Sequence, residues 1–218
     1  MNIIKKISVI IPVFNQQRYI ERCVRSILSQ TFNSDAYEVI VIDDCSKDNT
    51  LKNLEKYKDN IIILKNEKNY GLPYSLNKGI KASKAQYIVR LDSDDYVNDK
   101  FLEILYLFIS TNKSTDAFAC DYYLVDEDEN IIKQKNCIDD PIGCGIIFNT
   151  KDLFDIGLYD IDFLLNEEKD LRIRFEKKYK ISRIALPLYR YRKHQTNITN
   201  NKLEIKSYNK KIIKKHKI

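Results

Sequence analysis

The stretch that decides the fold is Tyr87–Val97, YIVRLDSDDYV. An apolar run, interrupted only by Arg90, stops at Asp92, Ser93, Asp94 and Asp95. A short β-branched run of this kind predicts a buried strand. The carboxylates at its end repel one another. At ~4 Å each pair costs about 1 kcal/mol in water and about 4 kcal/mol in a surface-like dielectric. A bound cation relieves that cost. Mg2+ and Mn2+ take oxygen ligands and favour one or two carboxylates together with substrate phosphates. A closed calcium loop does not fit. Counted from Asp92 as an EF-hand, Glu103 stands correctly at the last position, but Tyr96 and Val97 occupy places that need an oxygen donor and a glycine.

Outward from this stretch the chain alternates apolar runs with amphipathic ones. ISVIIPVF (7–14) predicts a strand stopped by Pro12, and QRYIERCVRSILSQ a helix with apolar residues at helical spacing. YEVIVIDDCS is a second strand ending in Asp43-Asp44, followed by a helix capped by Ser46 or Asp48. NIIILKN is a third strand, GLPYSLNKGIKAS a helix, and QYIVRL the fourth strand. Asn98 is expected to cap the next helix. Such alternation predicts a mostly parallel sheet covered by helices on both faces. Ligands on such sheets bind beyond the carboxyl ends of the strands, which places Asp43-Asp44 and Asp92–Asp95 on one edge. The second half reads as a hairpin (DAFACDYYLVD, NIIKQK), a strand (GCGIIFNT), a short helix closed by Gly157, a helix capped by Asn166, and a strand pair around Pro187. In that last helix Asp170 is placed to pair with Arg172 or Arg174.

At 218 residues, 44% apolar and 31% charged, the chain is globular. We read one α/β domain over 1–218, with a nucleotide-binding half at about 6–110, an acceptor and catalytic half at about 111–199 and a basic tail at 200–218. The net charge of +6 lies largely in that tail, which is expected to be solvated; peripheral contact with an anionic membrane is the other reading. No apolar run approaches the ~18 residues that span a bilayer. Five cysteines without CxxC spacing, and no signal-peptide pattern, predict reduced thiols and a cytoplasmic protein, with the inner membrane face as an option. The glycosylation sequons at Asn112 and Asn197 carry no weight there. The five glycines form neither GxGxxG nor a P-loop, which excludes dinucleotide oxidoreductases and P-loop kinases. A nucleic-acid role is not expected, because acidic clusters repel phosphate.

The segments SVIIPVFNQQRYIERCVRSILSQTF, EVIVIDDCSKDNT, KNYGLPYSLNKGIKASKAQYIVRLDSDD, NEEKDLRIRF and LYRYRKHQTNIT, in this order, resemble glycosyltransferase family 2, inverting nucleotide-sugar transferases of the GT-A fold. The resemblance covers roughly Lys6 to Thr199. It implies a single-domain transferase using Mn2+ or Mg2+. The donor is a nucleoside-diphosphate sugar, UDP-linked by expectation, and the acceptor a glycan or lipid-linked hydroxyl in polysaccharide or glycolipid synthesis. By position, Pro12, Phe14 and Asn15 match the nucleoside loop, Asp44 the acid reading the base, and Asp92 and Ser93 the donor-contacting start of the acidic motif. Asp94 and His194 match metal or diphosphate contacts, and Asp95 a residue orienting the loop or the acceptor. Glu168 aligns with the catalytic base, where the family usually carries an aspartate one methylene shorter. A protein of the same fold that binds nucleotide-sugar without transferring it is the alternative. Gly143 and Gly145 are read as allowing a close backbone approach or a strand kink.

Overall fold

The computed structural model describes residues 5–195, 197 and 202–217. Ile198 and Thr199, which complete the second sequon and the closing motif, lie outside them. Strands β1 (Ile7–Val13), β2 (Tyr37–Asp43), β3 (Ile62–Lys65) and β4 (Tyr87–Arg90) pair in parallel in the order β3-β2-β1-β4. Helices α1 (Ile20–Leu28), α2 (Thr50–Glu55) and α3 (Leu72–Ala82) connect them. The sheet continues through β8 (Ile146–Asn149), β6 (Ala117–Val125), β9 (Ile181–Arg192) and β5 (Tyr96–Val97), with β7 (Ile131–Lys135) on β6 as the expected hairpin. Strands β1–β4, β6 and β9 run one way; β5, β7 and β8 run against them. The sheet is therefore mostly parallel.

Alternation along the strands divides the core in two. Val9, Ile11, Val39, Val41 and Val89 pack with Ile20, Val24 and Ile27 of α1 and with Phe101, Leu102 and Leu105 of α4 (Phe101–Thr111). Ile10, Ile40, Ile42 and Ile88 point the other way. They meet Leu76 and Ile80 of α3, Leu153 of α5 (Thr150–Asp155), and Leu171 and Phe175 of α6 (Glu167–Glu176). Period-two strands buried on both faces produce the continuous apolar runs seen in the sequence.

Several local expectations are corrected. β1 does not stop at Pro12; it runs to Val13. Ile10 offers its carbonyl to Leu91 and Val13 offers its own to Asp44, so Pro12 faces the side on which pairing with β4 has already ended. Its missing N–H costs no ladder bond. The strand pair around Pro187 is one strand, β9, whose register against β6 shifts where Asp121 meets Pro187. Asn98 is not the residue before α4: Lys100 is, and Asn98 accepts from its amide instead. Asn166 does precede α6, but in the left-handed region, and its side chain reaches away to Asn209. The expected solvated tail is a helix, α7 (Lys202–His216), packed on α6. Its Lys215 and His216 donate to the fully buried carboxylate of Asp170, which also pairs with Arg174. All five cysteines are free thiols.

Candidate active site

The carboxyl ends of β1, β2 and β4 and the N-terminus of α6 surround one cavity of about 660 Å3. Pro12 lines it from the end of β1, Phe14 and Asn15 from the loop after it, Asp44 from just beyond β2, Asp92–Asp95 from the loop after β4, and Glu167 and Glu168 from α6. Gly143, Asn197 and Ile205 of α7 complete the parts of the wall used below. Every sequence-derived site residue except His194 lines this space, and His194 stands directly behind Asp94.

Each carboxylate of the opening stretch has its own partner. Asp92 is gripped by Arg90 through two bonds, Nε to Oδ1 at 2.7 Å and Nη2 to Oδ2 at 3.1 Å. Asp95 is buried, and its oxygens accept from the Tyr189 hydroxyl and the Arg192 amide, both at 2.7 Å. Burial, and then the charges of Asp94 and Asp92, push its carboxyl well above the usual range. Arg192 also donates from Nε to the Asp94 carbonyl. Both bonds tie Asp95 to β9. Asp94 lines the cavity with its side chain 19% exposed, next to Asp92 at 23%. Its Oδ2 lies 2.9 Å from His194 Nε2 and 3.4 Å from the Asn197 amide nitrogen.

That spacing fits the implied divalent ion. Two cis ligands at 2.0–2.1 Å from an octahedral centre stand about 3 Å apart, and the carboxylate oxygen of the pair suits Mg2+ or Mn2+. A second cluster, Asp92, Asp95 and Cys144, brings its ligand atoms within 4.8 Å of one another. It fits worse, since Arg90, Tyr189 and Arg192 already engage its carboxylates and a thiol is a soft ligand.

Beyond β2, Asp44 is buried and accepts from the Tyr70 and Gly71 amides and from Asn66 Nδ2. It shapes the loop before α3. Gly71 has φ +89°, which a side chain rarely adopts. Asn15 also sits left-handed, and its Oδ1 accepts from the Lys47 amide at 2.7 Å. Phe14 is 41% exposed at the mouth, an uncovered ring beside this loop. Asp43 accepts from the Ser46 amide.

One feature was not read from the sequence, and another was read there only as a close approach or a kink. Arg90 is buried and joins Asp92 to Glu167, whose Oε1 it meets at 2.9 Å from Nη1. Burial alone would lower the Arg90 pKa, but Asp92 and Glu167 outweigh it and hold the guanidinium charged. Glu167 is pushed up to about 7 by burial, with Arg90 opposing and Glu168 adding. The other feature is Gly143. A Cβ there would lie 2.7 Å from Arg90 Nη1 and 2.8 Å from Glu168 Cβ. Only a glycine lets the chain pass between the ion pair and the glutamate that faces the cavity.

Glu167 yields a pH prediction. Its folded value of about 7 exceeds the ordinary 4.5. The stabilisation it supplies is complete below the lower value and is lost as pH rises through the upper one. Melting curves from pH 4 to 8 are expected to show this decline. Glu167→Gln should flatten it, and an unchanged slope in the variant would refute the assignment.

Comparison with known proteins gives the family and the fold. The Staphylococcus aureus poly(ribitol-phosphate) beta-N-acetylglucosaminyltransferase TarP is 43% identical over 113 residues, 50% of this chain and 35% of that protein. A Bacillus spizizenii poly(ribitol-phosphate) beta-glucosyltransferase is 38% identical over 113 residues, 50% of this chain and 18% of its own length. The chain thus spans about a third or less of these relatives. The crystal structure of S. aureus TarS 1-349 in complex with UDP superposes with a TM-score of 0.74 at 25% identity, covering 86% of this chain and 60% of that one. The GT-A architecture expected from the sequence is present. Residues 8–212, carrying every site residue described above, match the family described as Glycosyl transferase family 2, and the chain belongs to it.

Proposed function

We propose that the protein is an inverting glycosyltransferase that moves a sugar from a nucleoside diphosphate, UDP in the first instance, to a hydroxyl of a surface polymer or its lipid-linked precursor. The observation that carries this is the convergence, in one cavity, of Asp94 backed by His194 with Glu168 at a helix N-terminus. UDP bound to TarS and the polymer-modifying relatives support the donor and the acceptor class.

The loop around Phe14 and Asn15 and the Asp44-braced segment hold the nucleoside. Asp94, with His194 behind it, would hold a divalent ion that neutralises charge on the leaving diphosphate. Glu168 takes the proton of the acceptor hydroxyl. The freed oxygen attacks the anomeric carbon from the face opposite the diphosphate, whose C–O bond breaks with its electron pair leaving on phosphate oxygen. One displacement inverts the anomer.

Thermal stability tests the donor half. UDP, GDP, CDP and TDP are each added with and without Mn2+. A nucleotide at ~100 times its dissociation constant adds about 2.7 kcal/mol, which is roughly 5–11 °C for a chain of this size. The expected shift comes with UDP and metal together and is lost in Asp94→Ala. No shift with any nucleotide would refute the donor site.

No helix among the described residues is long and apolar enough to cross a membrane.

A further inference from the structure

The strongly charged element that transfer chemistry leaves unused is α7. At 3.6 residues per turn, Ile205, Asn209, Ile212 and His216 share the face packed on the body. Lys211 and Lys215 fall on one flank, where they donate to the Asp162 carbonyl and to Asp160 and Asp170. Lys206, Lys210 and Lys214 fall on the other flank and the outer face. All three are exposed, and none forms an ion pair among the described residues. Lys169 of α6, also exposed, reaches Asn209 Oδ1 at 3.4 Å and so joins their flank.

This row begins at the cavity. Lys169 follows Glu168, and Lys206 follows Ile205, both of which line it. The floor of the site is acidic, with Asp92, Asp94, Asp95 and Glu167. The rim beside Glu168 is basic. From Lys206 to Lys214 the row extends about 12 Å at 1.5 Å per residue.

We propose that Lys169, Lys206, Lys210 and Lys214 form a track for an acceptor polymer with phosphodiester-linked polyol or sugar repeats, guiding a hydroxyl to Glu168. The acceptor half of this rests on the transfer reading above. Charge complementarity selects a polyanion and steers its approach. Leu203 and Ile213 of α7 stand 82% and 53% exposed on the lysine side, but the row starts at the cavity that Glu168 lines, which favours an acceptor chain over a lipid surface. A nucleic acid is disfavoured, because Tyr208 is partly buried beside Phe163, leaving this helix no fully exposed ring on which bases could stack.

The test titrates labelled poly(glycerol phosphate), matched dextran, poly(U) and phosphatidylglycerol vesicles against the full chain at low and physiological salt. The polyol phosphate should bind, weaken with salt, and lose about tenfold affinity in the variant Lys169→Glu/Lys206→Glu/Lys210→Glu/Lys214→Glu. UDP-dependent stabilisation should be unchanged in that variant, which also shows that it folds. In transfer assays its KM for the polymer should rise with little change in kcat. Undiminished polymer binding by the variant would overturn the track, as would lysine-dependent binding of vesicles or poly(U) that exceeds the polymer's. Absence of UDP stabilisation in both proteins would instead sink the transfer reading and with it the acceptor role, whatever the polymer does.

Discussion

Glu168→Gln is expected to lower sugar transfer about 10²–10⁴-fold, the contribution of a positioned general base, while UDP with Mn2+ stabilises the variant as it does the native chain. The amide has the carboxylate's shape, so the contact with Gly143 and the Arg90–Glu167 pair survive. Only the ability to take a proton is lost. Glu168→Asp installs the residue usual in the family, one methylene shorter. A displacement of ~1 Å can cost 10²-fold, so this variant reports whether the cavity is built around the longer side chain. Full turnover in Glu168→Gln would remove Glu168 from the role of base. A native chain that binds UDP and transfers nothing to any acceptor would favour the non-transferring alternative.

Arg90→Met is expected to produce the largest loss of stability. The guanidinium is 8% exposed and bridges Asp92 and Glu167. Methionine fills much of the volume but leaves a buried carboxylate without its partner. Breaking a buried pair in this way costs 3–5 kcal/mol, or roughly 6–20 °C in melting temperature at this chain length. Adding Glu167→Gln should return part of that loss, because the orphaned charge goes with it. A single-variant loss under about 1 kcal/mol would show that water reaches the pair and screens it.

The strand runs and the acidic loop were legible because local pattern encodes them. Val9, Val39 and Val89 sit in runs that only a doubly covered sheet buries, and Asp92–Asp95 end one of them. Phe14, Asn15, Asp44, Asp94 and Glu168 reached one cavity as motif order implied. What stayed hidden depends on pairings across the chain. Arg90 reads locally as a charge interrupting a strand; its meaning comes from Glu167, 77 residues later. Arg192 looks like one of several surface cations, yet it is 3% exposed and holds Asp94 and Asp95. Asn197 is marked only by a sequon, and its amide reaches Asp94. α7 is a lysine-rich stretch whose docking depends on Asp170, a residue the helix pattern assigns to a pair with Arg172 or Arg174.

The bonds from Tyr189 and Arg192 to Asp95 span 94 and 97 residues. A ribosome adding about 5–20 residues per second therefore makes the acidic loop roughly 5–20 s before the atoms that fix it. Until β9 enters beside β6, Asp95 lacks both of its donors while Asp92 already has Arg90, and closing so long a loop carries an entropic cost that earlier contacts cannot offset. Donor binding should thus appear late in synthesis and all at once. A nascent chain arrested before Tyr189 would hold most of the parallel sheet and still be unable to retain a nucleotide.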